Sequence, residues 1–424
     1  MSTSTRPPES AAPSLLAGSV EQPTFSEAVS NYVRKVRGGD MGSLPAILAL
    51  LVLALAFYAL RPEKFFSALN IANLFQQGAT VTVIAMGLVF VLLIGEIDLS
   101  AGVTSGVCGA TLAIALTKWD WPWYGAVAAA LVVGVVIGTL LGTLVARVGI
   151  PSFVTTLAAF LAFQGVVLLM IGTGGNISIT DNVIIAIENK NLPPWLGWVL
   201  GAVAVLAYAG ASLYGWSQRR ARGLLSAPLG VIVAKIAAVA IAVLGLVAVL
   251  NQERSVNPVR SIMGVPIVIP LIAVLALILG FILTRTAFGR HIYAVGGNAE
   301  ATRRAGINVP AVRTVCFMIC STMAAFAGII AVSRATSVDP NAGGSNVLLY
   351  AVGAAVIGGT SLFGGKGRII DALIGGAVIA VIDNGMGLLG YSSGVKYVVT
   401  GGVLVAAAAV DAISRRRARA TGRL

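Results

Sequence analysis

An all-α fold embedded in a membrane and crossing it many times is predicted by three observations. The chain is 57% hydrophobic and only 11% charged over 424 residues, with a mean hydropathy of +0.92. A soluble chain carries about a quarter charged residues. Apolar runs recur from Leu44 almost to the C-terminus. Each is close to the ~20 residues needed to cross a hydrocarbon core as a helix. The runs lack the in–out alternation of barrel strands, and only helices and closed barrels satisfy the backbone in lipid. Fifty glycines fit this setting, because small residues let membrane helices approach closely.

About twelve hydrophobic spans are expected: 44–60, 79–94, 103–116, 125–146, 153–171, 195–214, 228–250, 266–284, 313–333, 348–359, 369–383 and 395–412. The spans at 103–116 and 348–359 are short enough to be discontinuous or re-entrant half-helices. The organisation expected is a tail over 1–40, a transmembrane domain over 41–413 and a basic tail over 414–424. Residues 1–24 are rich in Ser, Thr, Pro and Ala and read as disordered. Residues 25–37, FSEAVSNYVRKVR, place Phe25, Val29, Tyr32, Val33 and Val36 on one face, as a short surface helix or a plain basic flank. No early short apolar run carries a signal cleavage site.

Most of the 29 Lys and Arg fall in alternate connections and at the two ends, including Arg34, Arg147, Arg219, Arg290, Arg303, Arg368 and Arg415. The positive-inside rule then puts both termini in the cytosol, with the chain crossing its membrane many times. The net charge of +13 belongs to that membrane surface, and nucleic acid is not implied. One histidine, His291, and three cysteines give neither a metal set nor a disulfide framework. Cys316 and Cys320, four apart in an apolar run, read as small packing residues.

The first motif is Ile94-Gly-Glu96-Ile-Asp98-Leu-Ser100-Ala-Gly102, two carboxylates and two glycines between apolar runs. Charges at such a place are costly and face protein or water. Asp98 or Ser100 can cap a helix starting near Ala101, or Glu96, Asp98 and Ser100 can line a solute path; both readings stand. Residues 357–365, IGGTSLFGG, match the first motif weakly, as an internal repeat of broken helices would, and Thr360 and Ser361 are further path candidates. Thr360 to Gly367, TSLFGGKG, is one step from a phosphate-binding P-loop, but lacks the final Ser or Thr and the parallel-sheet setting, so ATP binding is rejected there.

The connection from Thr284 to Arg313 is long and basic and contains a helix candidate over Ala299–Ala305. Asn298 can cap it and Gly306 can end it, leaving Ala301 and Ala305 as small residues on a segment suited to docking. Gly134, Gly138 and Gly142 recur every four positions and mark a helix contact, within the chain or between two copies. Pro151 opens a new helix after a break. Asp383, Asn384 and Lys235 are the remaining polar positions within or beside spans, Lys235 as a snorkelling side chain.

GEIDLSAG, GIPSFVTTL, TRTAFGRHIYAVGGNAEATRRAGINV, VIGGTSLFGGKGRI and DNGMGLLG stand in one order over residues 70–412. In these the chain resembles the permease subunits of bacterial ABC importers for monosaccharides, the ribose, xylose and arabinose group. Glu96 and the insert around 195–260 resemble the xylose branch. The resemblance implies a homodimeric pathway, two ATP-binding cassette subunits docked at a segment such as 298–306, and an extracytoplasmic sugar-binding protein. It implies no cofactor and no covalent chemistry in this chain. The rival reading is an ion-coupled secondary transporter of a small polar solute, for which only Glu96, Asp98 and Lys235 offer mid-span chemistry. The long N-terminal tail departs from the family pattern.

Overall fold

The computed structural model describes residue 30 and residues 42–420, apart from 173–174, 225, 256–258 and 260. The readings for 1–24 and for the surface helix over 25–37 therefore lie outside the described residues. Within them the protein is helical, with a single two-residue ladder. Eight helices are long and apolar enough to cross a membrane, and four shorter apolar helices accompany them. All twelve expected spans coincide with one of these helices.

The chain divides into two compact units. The larger comprises Arg37–Trp198 and Val247–Leu424. It contains α1 (Leu44–Leu60), α2 (Pro62–Phe65), α3 (Ala68–Leu93), α4 (Ala101–Thr117), α5 (Trp123–Thr143) and α6 (Ser152–Ile171). After β1 (Ile177–Ser178) and α7 (Asn182–Asn189) come α8 (Pro194–Ala221) and α9 (Leu229–Leu250), whose middle parts form the second unit. The chain then returns through α10 (Val268–Arg285), α11 (Ala287–Gly297), α12 (Ala299–Arg304), α13 (Val309–Ala335), β2 (Ser337–Val338), α14 (Ser345–Gly358), α15 (Ile369–Leu388) and α16 (Ser393–Ala420). Among the described residues the second unit is the segment Val199–Leu246.

Helix α13 is the centre of the larger unit, packed against α3, α4 and α5. The Gly134, Gly138 and Gly142 stripe answers its own open question: the contact lies within the chain. A β-carbon on Gly138 would stand 2.6 Å from the Met318 Cα, and one on Gly142 2.7 Å from the Thr314 Cα. Real β-carbons do not approach so closely, so the stripe lets the α5 and α13 backbones touch and gain dispersion contacts, the main attraction between helices in lipid.

α4 and α14 have 17 and 14 residues. At ~1.5 Å per residue, α14 is about 21 Å long, short of the ~30 Å hydrocarbon core. The two short helices begin side by side. Gly343, at φ +72°, and Gly102 face each other so closely that a β-carbon on Gly343 would lie 2.1 Å from the Gly102 carbonyl oxygen. Discontinuous helices of this kind are tolerated where their ends are buried in protein.

Several ends differ from the expectations, and the reasons are physical. The span expected at 79–94 begins eleven residues earlier, because Asn70, Gln76 and Gln77 find partners in protein rather than water. α16 continues to Ala420, where a separate tail from 414 was expected. β1 pairs antiparallel with β2, Ile177 opposite Val338. α7 is capped by Asp181, whose Oδ1 accepts from the backbone of Val183 and Ile184. That Asp followed by Asn-Val-Ile-Ile is a legible capping signal, although no span was read there.

Candidate functional site: two chain breaks, a capped helix and a basic rim

α3 ends at Leu93, and Gly95 turns the chain at φ +77°. The Gly95 and Glu96 N–H groups close onto the Leu92 and Val91 carbonyls at 2.9 and 3.1 Å. The next residues have no regular secondary structure, so their backbone groups need partners from elsewhere. The start of α6 provides them: the Ile97 N–H donates to Ser152 Oγ at 3.3 Å, and Thr156 Oγ1 donates to the Ile97 carbonyl at 3.2 Å.

Of the two residues read as caps for α4, Asp98 takes the part. Its Oδ1 accepts from the Ser100 N–H at 2.8 Å and from the Ser100 hydroxyl at 2.6 Å. Ser100 makes no side-chain cap of its own, and its hydroxyl donates to Asp98. Both residues are fully buried. The Cys320 thiol of α13 and the Ala101 N–H also face the Asp98 carboxylate, whose Oδ2 makes no hydrogen bond of good geometry. Glu96 sits nearer the surface, its Oε1 3.3 Å from Arg313 Nε.

The second break is built from glycines and backbone hydrogen bonds. α14 stops at Gly359, at φ +118°. Ser361 N–H donates to the Lys366 carbonyl at 2.8 Å, and Ser361 Oγ accepts from the Phe363 N–H at 3.0 Å. Thr360 and Ser361 are buried, and Thr360 Oγ1 has no partner among the described residues. This loop follows a helix, not a strand, which agrees with the rejection of a P-loop.

The two breaks meet. Gly365 N–H donates to the Leu93 carbonyl at 2.8 Å. Gly296 of α11 packs on the same place, where a β-carbon would fall 1.8 Å from the Leu93 oxygen and 2.6 Å from the Gly365 nitrogen. Tyr293 OH donates to the Gly367 carbonyl at 2.7 Å. Burial, then the Asp371 charge, raises the Tyr293 phenol above its ordinary pKa and keeps it a donor. Arg368 binds Asp371 at 3.1 Å and donates to Ser43 Oγ at 3.0 Å. Gly42, Tyr293, Gly359, Lys366, Arg368 and Asp371 line a cavity of about 360 Å³ beside this junction.

α12 stands beyond it. Asn298 Oδ1 accepts from the Ala301 N–H at 2.9 Å, and Gly306, at φ +83°, carries the chain out of the turn. Ala301, Ala305 and Gly306 are exposed, and Glu300 pairs with Arg303 and Arg304 on the solvent face. The hydrogen bonds from those arginines hold the Glu300 carboxyl below its ordinary pKa.

Four of the five sequence motifs thus converge: 94–102, 149–156, 284–313 and 357–368. The fifth lies elsewhere, with Asn384 bonded to Asn70 and Gln77. Lys235 belongs to the other unit. Sequence reading did not single out Ser152, Thr156, Tyr293, Gly296, Arg313 or Arg368. Ser152 and Thr156, one helical turn apart just after Pro151, were the findable pair. No group of three or more His, Cys, Asp and Glu side chains among the described residues is placed to hold a metal.

A bundle of membrane helices with paired breaks and an exposed capped helix at one end defines a polytopic α-helical permease. The chain belongs to the family described as branched-chain amino acid transport system / permease component, whose pattern matches residues 70–408. It is 38% identical over 372 residues to the xylose transport system permease protein XylH of Escherichia coli K12, covering 88% of this chain and 92% of that protein. The XylH of Haemophilus influenzae is 35% identical over 375 residues, 88% of this chain and 96% of that protein. The ribose import permease protein RbsC of Escherichia coli K12 is 32% identical over 367 residues, 86% of this chain and 92% of that protein. No solved structure matches the chain significantly. The chain is a multi-pass membrane permease component of a transport system.

Proposed function

We propose that this protein is the pore-forming permease subunit of an ATP-binding-cassette importer of monosaccharides, with D-xylose as its substrate. The observation that carries the reading is the junction at Leu93, Gly296 and Gly365, which ties both chain breaks to the base of α11 and the exposed α12. A push on α12 from outside the membrane is transmitted through rigid backbone contacts to segments that end inside the bundle. That is the coupling an external ATPase needs. The names and coverage of the xylose and ribose relatives support the choice of sugar.

In this reading the end carrying α11, α12 and Arg368 faces the cytosol, as do both termini, in a bacterial inner membrane. Two copies form the pathway in the lipid bilayer. A cassette subunit docks on Asn298, Ala301, Ala305 and Gly306, and an extracytoplasmic sugar-binding protein delivers sugar at the opposite end. Glu96, Asp98, Ser100, Thr360 and Ser361 border the path that opens when the breaks part. Their carboxylates and hydroxyls suit sugar hydroxyls, which both donate and accept. Nucleotide hydrolysis belongs to the cassette subunit, and this chain performs no covalent step and holds no cofactor.

The test is uptake of labelled xylose into proteoliposomes holding this chain, with a sugar-loaded binding protein outside. Uptake is expected only with the cassette subunit and ATP inside. Uptake by the chain alone, driven by an ion gradient, would overturn the reading.

A further inference from the structure

The α8–α9 hairpin carries an unbalanced charge. From 189 to 252 the sequence contains no Asp or Glu, yet it holds Lys190, Arg219, Arg220, Arg222 and Lys235. Among the described residues none of these five cations forms an ion pair. Lys235 is the unusual member. It lies six residues beyond the start of α9, about 9 Å along the helix axis at ~1.5 Å per residue, in an otherwise apolar run. A lone cation at that depth is costly unless an anion or water meets it.

Arg219 and Lys235 come from the two helices and line one cavity of about 290 Å³, with Tyr208, Ser212, Trp216 and Ser226. The Arg220 guanidinium lies 5.3 Å from the centre of the Trp216 ring. Both helices that wall it are long and apolar enough to cross a membrane. Two cations, hydroxyls and aromatic rings on a pair of membrane-crossing helices match the chemistry of a phospholipid headgroup.

We propose that this cleft binds the phosphate of an anionic phospholipid, with Arg219 and Lys235 as its two cationic ligands and the acyl chains lying along α8 and α9. Ser212 and Ser226 face the headgroup, and Trp216 and Tyr208 hold its glycerol level. The inference concerns the second unit alone and stands independently of the transport reading.

The full chain is purified in detergent and re-lipidated with dioleoyl-phosphatidylglycerol or dioleoyl-phosphatidylcholine, and retained lipid is counted by native mass spectrometry. Wild type is expected to retain one phosphatidylglycerol, at least tenfold more often than phosphatidylcholine. Arg219→Gln with Lys235→Gln is expected to lose that preference, while Lys235→Arg keeps it. Arg303→Gln with Arg304→Gln, remote in sequence, also keeps it. A photoactivatable phosphatidylglycerol should label peptides within 208–235 of the unaltered chain, so the result does not depend on variant folding. Three outcomes would overturn the proposal: equal retention of both lipids by wild type, labelling confined to other peptides, or loss of labelling to an equal concentration of inorganic phosphate. The last would mark a site for a free anion.

Discussion

Asn70 and Asn384, 314 residues apart, exchange a reciprocal pair of amide hydrogen bonds of 2.9 Å each and so tie the start of α3 to the end of α15. Asn384 also donates to Gln77 Oε1 at 3.1 Å, and Asn70 to the Phe65 carbonyl at 2.9 Å. Both amides are 5% exposed. Interhelical hydrogen bonds in membranes average about 0.6 kcal/mol and reach about 1.7. Asn70→Ala and Asn384→Ala are each expected to lower unfolding stability in detergent. The double variant should lose less than the sum, by about that coupling energy. Strict additivity would show that the pair does not act as a unit.

Substitution tests a structural role for Asp98 and a transport role for Glu96. Asp98→Ala removes both bonds to Ser100, at about 0.5–2 kcal/mol for a lost cap, and leaves a buried N–H unpaired. Lower melting temperature and lower yield are expected. Glu96→Gln weakens only a partly exposed pair with Arg313, so stability should hold while uptake falls. Normal stability and normal transport in both variants would remove both roles.

Docking at α12 is tested by Ala301→Trp and Gly306→Val. Ala301 is exposed, so Trp disturbs a partner rather than the fold. Gly306 has φ +83°, where a β-branched residue is strained and re-aims the exit of the helix. Membrane insertion should persist, while cassette co-purification and sugar-stimulated ATP hydrolysis fall. Normal values of both in both variants would dismiss the docking role.

Glu188 on α7 predicts a pH dependence. It is 1% exposed and neither carboxylate oxygen has a hydrogen-bond partner among the described residues. Burial raises its pKa to about 8 from 4.5, against the opposing charge of Arg334. The folded state therefore keeps a proton that the unfolded state loses as pH rises. Stability should fall between about pH 4.5 and pH 8, by up to about 1.4 kcal/mol per pH unit, and level off above. Glu188→Gln should flatten that profile and be the more stable protein at pH 8. Parallel melting curves for the two proteins across pH 5–8 would refute this.

Topology is read by labelling. Cys108, Cys316 and Cys320 are buried, which leaves a silent background for Ala299→Cys. An impermeant maleimide is expected to reach Cys at that position only in permeabilised cells. Labelling in intact cells would reverse the orientation.

The number and order of spans were legible because the cost of polar side chains in lipid writes helices into composition, and the positions of Asn298, Pro151 and Gly306 because capping and helix breaking are local. The start of α3 was not, since Asn70 and Gln77 read as loop residues until their partners on α15 are known; the start of α13 carries a local signal that was missed, Asn308 capping Ala311 ahead of Pro310. Periodicity identified the Gly134, Gly138 and Gly142 stripe but not α13 as the surface it meets. Only the tertiary structure brought Leu93, Gly296 and Gly365 to one point, chose Asp98 over Ser100 as the cap, and paired Glu96 with Arg313. These are contacts between residues far apart in the chain, and helix packing, which acts through shape at a few ångströms, leaves no periodic trace of its partner in a single sequence.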